Sequence, residues 1–208
     1  MSLRRNTRRA HAVGMRMAQA SWRSPATVLV LSWLIASPCL SQEHLIIEVG
    51  RDGDFITVAA SVDLKADPRI AWEVLSNYDD LARFIPDIKS SRVLKRDTRG
   101  LVVEQKGEFG VLFFRRDVEV TMEVSEEPPR RIVARAISGS LKDMETRYDL
   151  LPSERGVKLG YHGRFVPDFF LPPLIGLPLV RRSLERRFRA MAEEIERRGA
   201  LARDKAQR

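Results

Sequence analysis

From Asp117 to Phe165 the chain alternates apolar and polar side chains so regularly that it has few ways to fold. Val118, Val120, Met122 and Val124 are separated by Asp117, Glu119, Thr121 and Glu123. Met144, Thr146, Tyr148 and Leu150 are interleaved with Glu145, Arg147 and Asp149, and Val157, Leu159, Tyr161, Gly163 and Phe165 with Lys158, His162 and Arg164. A period of two is that of an extended strand with one wet face and one buried face. Several such segments in succession predict an antiparallel sheet.

The same reading extends to both sides. Gln42 to Gly53 is a short lead with strand character, and Phe55 to Leu64 is the first secure strand. Asp67-Pro68 opens a helix, with aspartate capping free amides and proline fitted to the first helical position. Ile70, Ala71, Val74 and Leu75 follow at helical spacing, and a second short helix, Tyr78 to Phe84, ends before Pro86. Strands are expected at Ile88 to Lys95, Leu101 to Glu108, Val111 to Val124, Arg131 to Ser138, Leu141 to Leu151 and Val157 to Phe165. Turns fall at Arg99-Gly100, Pro128-Pro129 and Arg155-Gly156. The order is strand, two helices, six strands, terminal helix.

Past the last strand, Val166 to Leu179 forms a collar in which Pro167, Pro172, Pro173 and Pro178 prevent regular pairing. Its Phe169, Phe170, Leu171, Leu174, Ile175 and Leu177 have no strand to bury them. The terminal helix carries an apolar stripe of Leu177, Val180, Leu184, Phe188, Met191 and Ile195 at steps of three and four. Arg181, Arg182, Arg186, Arg187, Arg189, Arg197 and Arg198 occupy its other faces and are expected to be solvated. An apolar collar opening an amphipathic helix suggests a cover over a greasy interior. Packing onto the molecule accounts for the collar; the alternative is transient contact with an anionic membrane surface, helped by neighbouring arginines.

A net charge of +8 invites a nucleic-acid partner, but its distribution does not. Residues 1–41 contain six arginines and no acid, so the rest of the chain is close to balance. Those residues read as a signal peptide: an arginine-rich start, an apolar run from Ala26 to Ile35, then Cys39 and Ser41 at positions suited to cleavage after Ser41. The run is shorter than the roughly 20 residues of a membrane span. Met1, Met15 and Met17 are alternative starts, and twin-arginine export and lipidation of Cys39 fit less well. The expectation is an exported protein, periplasmic or secreted, with a lead at 42–53, a domain at 54–198 and a charged tail at 199–208. Cys39 is the single cysteine, so the mature domain has no disulfide.

The run AWEVLSNYDDLARFIPDIKSSRVL, Ala71 to Leu94, resembles the opening of the polyketide cyclase/dehydrase and ubiquinone-binding START-type proteins (SRPBCC), of the helix-grip superfamily that includes the birch-pollen allergen fold. The run YDLLPSERGVKLGYHGRFVPDFFLPPLIGLPLVRRSLERRF, Tyr148 to Phe188, is similar to that family's last strands, proline-rich passage and closing helix. The resemblance spans about Asp54 to Arg198. One departure is visible: Tyr148 stands where many relatives have tryptophan, which leaves the cavity's shape open. The resemblance implies an α+β helix-grip fold, a curved antiparallel sheet wrapped around the long C-terminal helix with two short helices after the first strand. It also implies a ligand cavity between sheet and helix.

By strand parity Tyr148, Tyr161, Met122, Val120 and Phe165 are the candidate wall residues from the sheet, and Leu184 and Phe188 face them from the helix. An apolar pocket with a few hydroxyls suits a quinone, isoprenoid, lipid or polyketide-like molecule. Filled-core packing is the competing reading of each residue. No catalytic residue, cofactor or metal is expected. His11 lies in the signal, His44 in the lead and His162 on the outer face, and no nucleophile elbow, phosphate loop or metal-ligand spacing occurs. The expected function is therefore an exported carrier of a lipophilic small molecule, with no nucleic-acid partner. The alternative is an aromatase, cyclase or dehydratase using Tyr148, Tyr161 or Arg135 for proton transfer.

Overall fold

The computed structural model describes residues 45–98, 100–111, 114–171 and 175–208. Eight strands make one antiparallel sheet: β1 Ile46–Asp52, β2 Phe55–Leu64, β3 Ile88–Asp97, β4 Gly100–Val111, β5 Phe114–Glu127, β6 Arg131–Gly139, β7 Leu141–Ser153 and β8 Gly156–Pro167. Their spatial order is β1-β2-β8-β7-β6-β5-β4-β3. Strands β3 to β8 form a meander of hairpins. The link from β2 to β3 carries helix α1, Pro68–Ser76, and a 3-10 helix, Tyr78–Arg83, from one side of the sheet to its opposite edge. Helix α2, Gly176–Ala206, closes the molecule.

Burial follows the alternation. Along β2 every second residue from Ile56 to Leu64 is buried, and on β8 Val157, Leu159 and Tyr161 point inward while Lys158, His162 and Arg164 are exposed. Register shifts at Ile88/Ser90, Val93/Lys95, Thr121/Met122 and Leu141/Asp143 place extra residues in the ladders. Such bulges bend strands and increase twist, which lets a wide sheet wrap around a helix. The inner face and α2 share one core, in which Leu64, Val157, Leu159 and Ile195 are 0% exposed.

Local chemistry explains the helices. Asp67 caps α1 by accepting from the Arg69 amide at 2.7 Å, with Pro68 in the first turn. The second short helix is a 3-10 segment ending at Arg83, one residue earlier than the sequence suggests.

Several boundaries differ from the sequence reading, and four of them change how the sheet and the closing helix are built. The lead contributes β1, because Ile46 to Asp52 pairs in register with Ser61 to Phe55 along β2. Strand β4 runs on past its expected end at Glu108 to Val111, the residue expected to open the next strand, with Gly110 held in the ladder opposite Arg115. Helix α2 begins at Gly176, inside the expected collar, with Pro178 in its first turn. There a proline removes no intrahelical bond, since the first amides have no partner within the helix. At the other end the expected tail stays helical to Ala206, tied to the residue after β2: the Lys65 amide donates to Glu196 at 2.8 Å, and Arg203 donates to the Lys65 carbonyl at 3.0 Å. The expected signal peptide at 1–41 and His44 lie outside the described residues, and among the described residues no helix is long and apolar enough to cross a membrane.

Candidate ligand-binding cavity

Between the inner sheet face and α2 lies a hollow of about 200 Å³. Its wall takes Val118, Val120, Met122 and Val124 from β5, Ile132 and Ala134 from β6, and Met144, Thr146 and Tyr148 from β7. Tyr161 enters from β8, Tyr78 and Leu81 from the 3-10 helix, and Leu184, Arg187, Phe188 and Met191 from α2. Of the residues named from the sequence, Tyr148, Tyr161, Met122, Val120, Leu184 and Phe188 all meet this space. Phe165 does not: it lies opposite Ile56 and Met144, partly buried against the core. Parity gives the correct face, but the inward face of β8 is longer than the cavity.

Three rings bind the sheet to the helix across the hollow. Tyr148 and Tyr161 have centroids 4.8 Å apart, and Phe188 meets Tyr161 edge-on at 5.3 Å and Tyr148 at 6.5 Å. Edge-to-face and tilted pairs at these spacings gain beyond simple burial. The Tyr161 ring extends along β8 so that its hydroxyl lies above Gly163, where a Cβ would come within 2.5 Å of that oxygen. A side chain at that position would have to displace the ring, two residues away on the same face.

Both phenols are pushed above the ordinary tyrosine value of about 10, chiefly by burial, and for both the charge of Arg187 acts in the opposite direction. They remain protonated hydrogen-bond donors through the physiological range. Tyr78, also on the wall, is raised by burial and by its hydrogen bond to Glu126 at 2.7 Å.

Arg187 was expected on a solvated helix face and instead lines the cavity. Its Nε is buried and has no hydrogen-bond partner among the described residues. The nearest acid, Asp87, is 3.9 Å away. Both Asp87 oxygens are already engaged, accepting from Ser183 Oγ at 2.7 Å and from Arg186 at 3.0 and 3.1 Å. Asp87 itself is held because Gly107 lets the backbones touch: Glu108 donates its amide to the Asp87 carbonyl at 3.0 Å, and any Cβ at Gly107 would collide with that oxygen. A signal for Arg187 existed in the sequence. It lies seven residues, close to two helical turns, after Val180 of the stripe, so it borders the buried face.

Part of the collar packs onto the sheet. Phe169 packs on Phe109 of β4 at 6.0 Å, with the Arg116 guanidinium 5.8 Å above its ring. Leu171 is buried, whereas Phe170 is 72% exposed and Ile175 is 46% exposed. Pro172, Pro173 and Leu174 lie outside the described residues.

Other features carry less chemistry. A larger trough of about 640 Å³ opens on the outer sheet face between β1, β2, β8 and β7, lined by Thr57, Arg147, His162 and Arg164. It is broad and charged, without the enclosure that excludes water from a lipophile. Arg135, named as a possible proton-transfer group, is exposed on the outer face beside Glu145 at 3.4 Å and cannot reach the cavity. Among the described residues no group of three or more His, Cys, Asp or Glu could hold a metal ion.

A sheet gripping a closing helix over an apolar hollow defines a START-like fold. The family model for polyketide cyclase/dehydrase and lipid transport matches residues 64–192, and the chain belongs to that family. Among solved structures, a START superfamily protein from Mycobacterium smegmatis is similar at 17% identity and a TM-score of 0.54, covering 70% of this chain and 98% of that one. A STAR-related lipid transfer protein from Xanthomonas axonopodis has 14% identity and a TM-score of 0.56, over 72% and 98%. The Zhui aromatase/cyclase from a Streptomyces species has 16% identity and a TM-score of 0.55, over 70% and 94%. At these identities the likeness establishes the fold. No curated protein matches the sequence.

Proposed function

We propose that the protein binds and carries a compact lipophilic molecule in the cavity beneath α2. The observation that supports this reading most is the composition of the wall. It is mainly aliphatic and aromatic, and its polar members include Tyr148, Tyr161, Thr146, Gln105 and Arg187. Among the described lining residues none is a histidine or a carboxylate, and Lys106 is held in ion pairs with Glu119 and Glu104. The two central phenols are held protonated by burial. Such a wall orients a ligand oxygen and excludes water, which is what a carrier needs.

The volume narrows the ligand. A hollow of about 200 Å³ is below the roughly 300–1,000 Å³ of pockets for drug-sized molecules. It accommodates a short chain or one or two rings, or the leading end of a longer lipid whose remainder leaves through the mouth. Export through the N-terminal segment is part of the same proposal, because a carrier outside the cytoplasm meets ligands leaving a membrane. Exposed Phe170 and Ile175, on the chain just before the arginines of α2, suit brief contact with anionic lipid during that transfer.

Native mass spectrometry of the protein purified from its own source tests the reading. A copurifying mass that matches a lipid, quinone or polyketide-like molecule is the expected result. Protein that is uniformly empty and takes up none of these when they are added sinks it. The competing family activity, aromatase/cyclase chemistry, predicts turnover of a linear poly-β-ketone probe. Flotation with anionic vesicles at low salt tests the membrane contact, and absence of binding removes it.

A further inference from the structure

We propose that Arg187 is the head-group anchor of the cavity and that the ligand is a compact lipophile bearing a single carboxylate. The inference rests on the carrier reading and adds to it the chemistry of the ligand's polar end.

A guanidinium on the wall of an apolar hollow is costly unless its N–H groups find partners. Arg187 Nε is buried without one, although 35% of the side chain as a whole remains accessible. Asp87 does not supply it. At 3.9 Å it balances charge without a hydrogen bond, its oxygens being taken by Ser183 and Arg186. Donors are therefore in surplus at this end of the cavity. The phenols of Tyr148 and Tyr161 add two more, close enough for the Arg187 charge to act on both. The geometry calls for an acceptor with two or more lone-pair sites, as an oxyanion has.

Charge selects among oxyanions. Among the described residues two cations line the hollow: Lys106, already paired with Glu119 at 3.0 Å and Glu104 at 3.6 Å, and Arg187, whose one nearby acid, Asp87, is shared with Arg186. One uncompensated cation matches a monoanion, a carboxylate, better than a phosphate monoester carrying close to two charges. A neutral carbonyl or alcohol leaves the excess unbalanced.

Calorimetric titration with three ligands of equal chain length, octanoate, 1-octanol and octyl phosphate, tests this. Octanoate is expected to bind roughly tenfold or more tighter than 1-octanol, from one charge-assisted hydrogen-bonded contact, and tighter than octyl phosphate. Arg187→Gln brings octanoate down to the alcohol's level, Arg187→Lys restores part of the difference, and Arg189→Gln, at an exposed position that does not line the hollow, leaves the preference intact. In the wild-type protein the Arg187 Nε–H resonance shifts with octanoate and stays in place with 1-octanol, a readout that does not require the variants to fold. Equal binding of octanoate and 1-octanol overturns the anchor while leaving the carrier reading standing. Tighter binding of octyl phosphate overturns the carboxylate assignment, and binding of none of the three overturns the anchor, the carrier reading then standing or falling on the native mass spectrum.

Discussion

Tyr161 occupies its place because residue 163 has no side chain. Gly163→Ala puts a methyl into the Tyr161 ring, whose hydroxyl is the nearest atom at 2.5 Å. The ring is a mobile obstacle, unlike backbone, so it turns toward the hollow at a cost of about 1–3 kcal/mol. The expected outcome is a folded variant with weaker ligand binding; unchanged affinity and melting temperature would show that the ring is not confined as described. Glu194 is held at about 2, below its ordinary 4.5, first by the hydrogen bond from Arg197 and then by that from Arg198. A carboxylate lowered in the folded state adds stability that is complete above 4.5 and is lost as pH falls toward 2. Glu194→Gln should therefore flatten the stability profile between pH 4.5 and 2, measured by urea unfolding, and an unchanged slope contradicts the assignment. The cavity residues from β5, β7 and β8 were legible because parity alone gives the face. Arg187 was not, because a helix face is about 100° wide or more and charge at its border looks like solvated surface.

Helix α2 is fixed to the rest of the fold at both ends by polar clasps. Near its start Asp87 receives Ser183 and Arg186; further along Arg198 reaches Asp80 of the 3-10 helix at 2.9 Å, and Glu196 receives the Lys65 amide. Between the clasps the apolar stripe lies on the sheet, with Phe188 1% exposed. Asp87→Ala removes the partner of two groups, Ser183 being buried, and should lower stability by about 1–3 kcal/mol, read as a shift of the urea midpoint; an unshifted midpoint shows that the clasp is ornamental. The sequence made these elements readable where periodicity was strong. It misplaced the start of α2 because Pro178 looks like a breaker, although a first-turn proline is tolerated. It also took β4 to end before Gly110, because a glycine in a ladder looks the same in sequence as a glycine in a turn.

At the scale of the whole molecule, a sheet of eight strands and one long helix leave a space that their own side chains do not fill. Sequence patterning specified which faces meet, and the resemblance in the Ala71 to Leu94 and Tyr148 to Phe188 runs indicated the topology. The size of the hollow was not legible, since it depends on bulge positions and on how far Asp87 holds α2 from the sheet. On the proposed function, this space receives the ligand. Ala134, on the wall and 7% exposed, is the position at which to close it. Calorimetric titration of octanoate into Ala134→Phe, with the melting transition recorded alongside, decides whether the space does so: a cooperative fold that has lost about tenfold or more in affinity is the predicted result, and a folded variant that binds as the wild type does contradicts ligand uptake there.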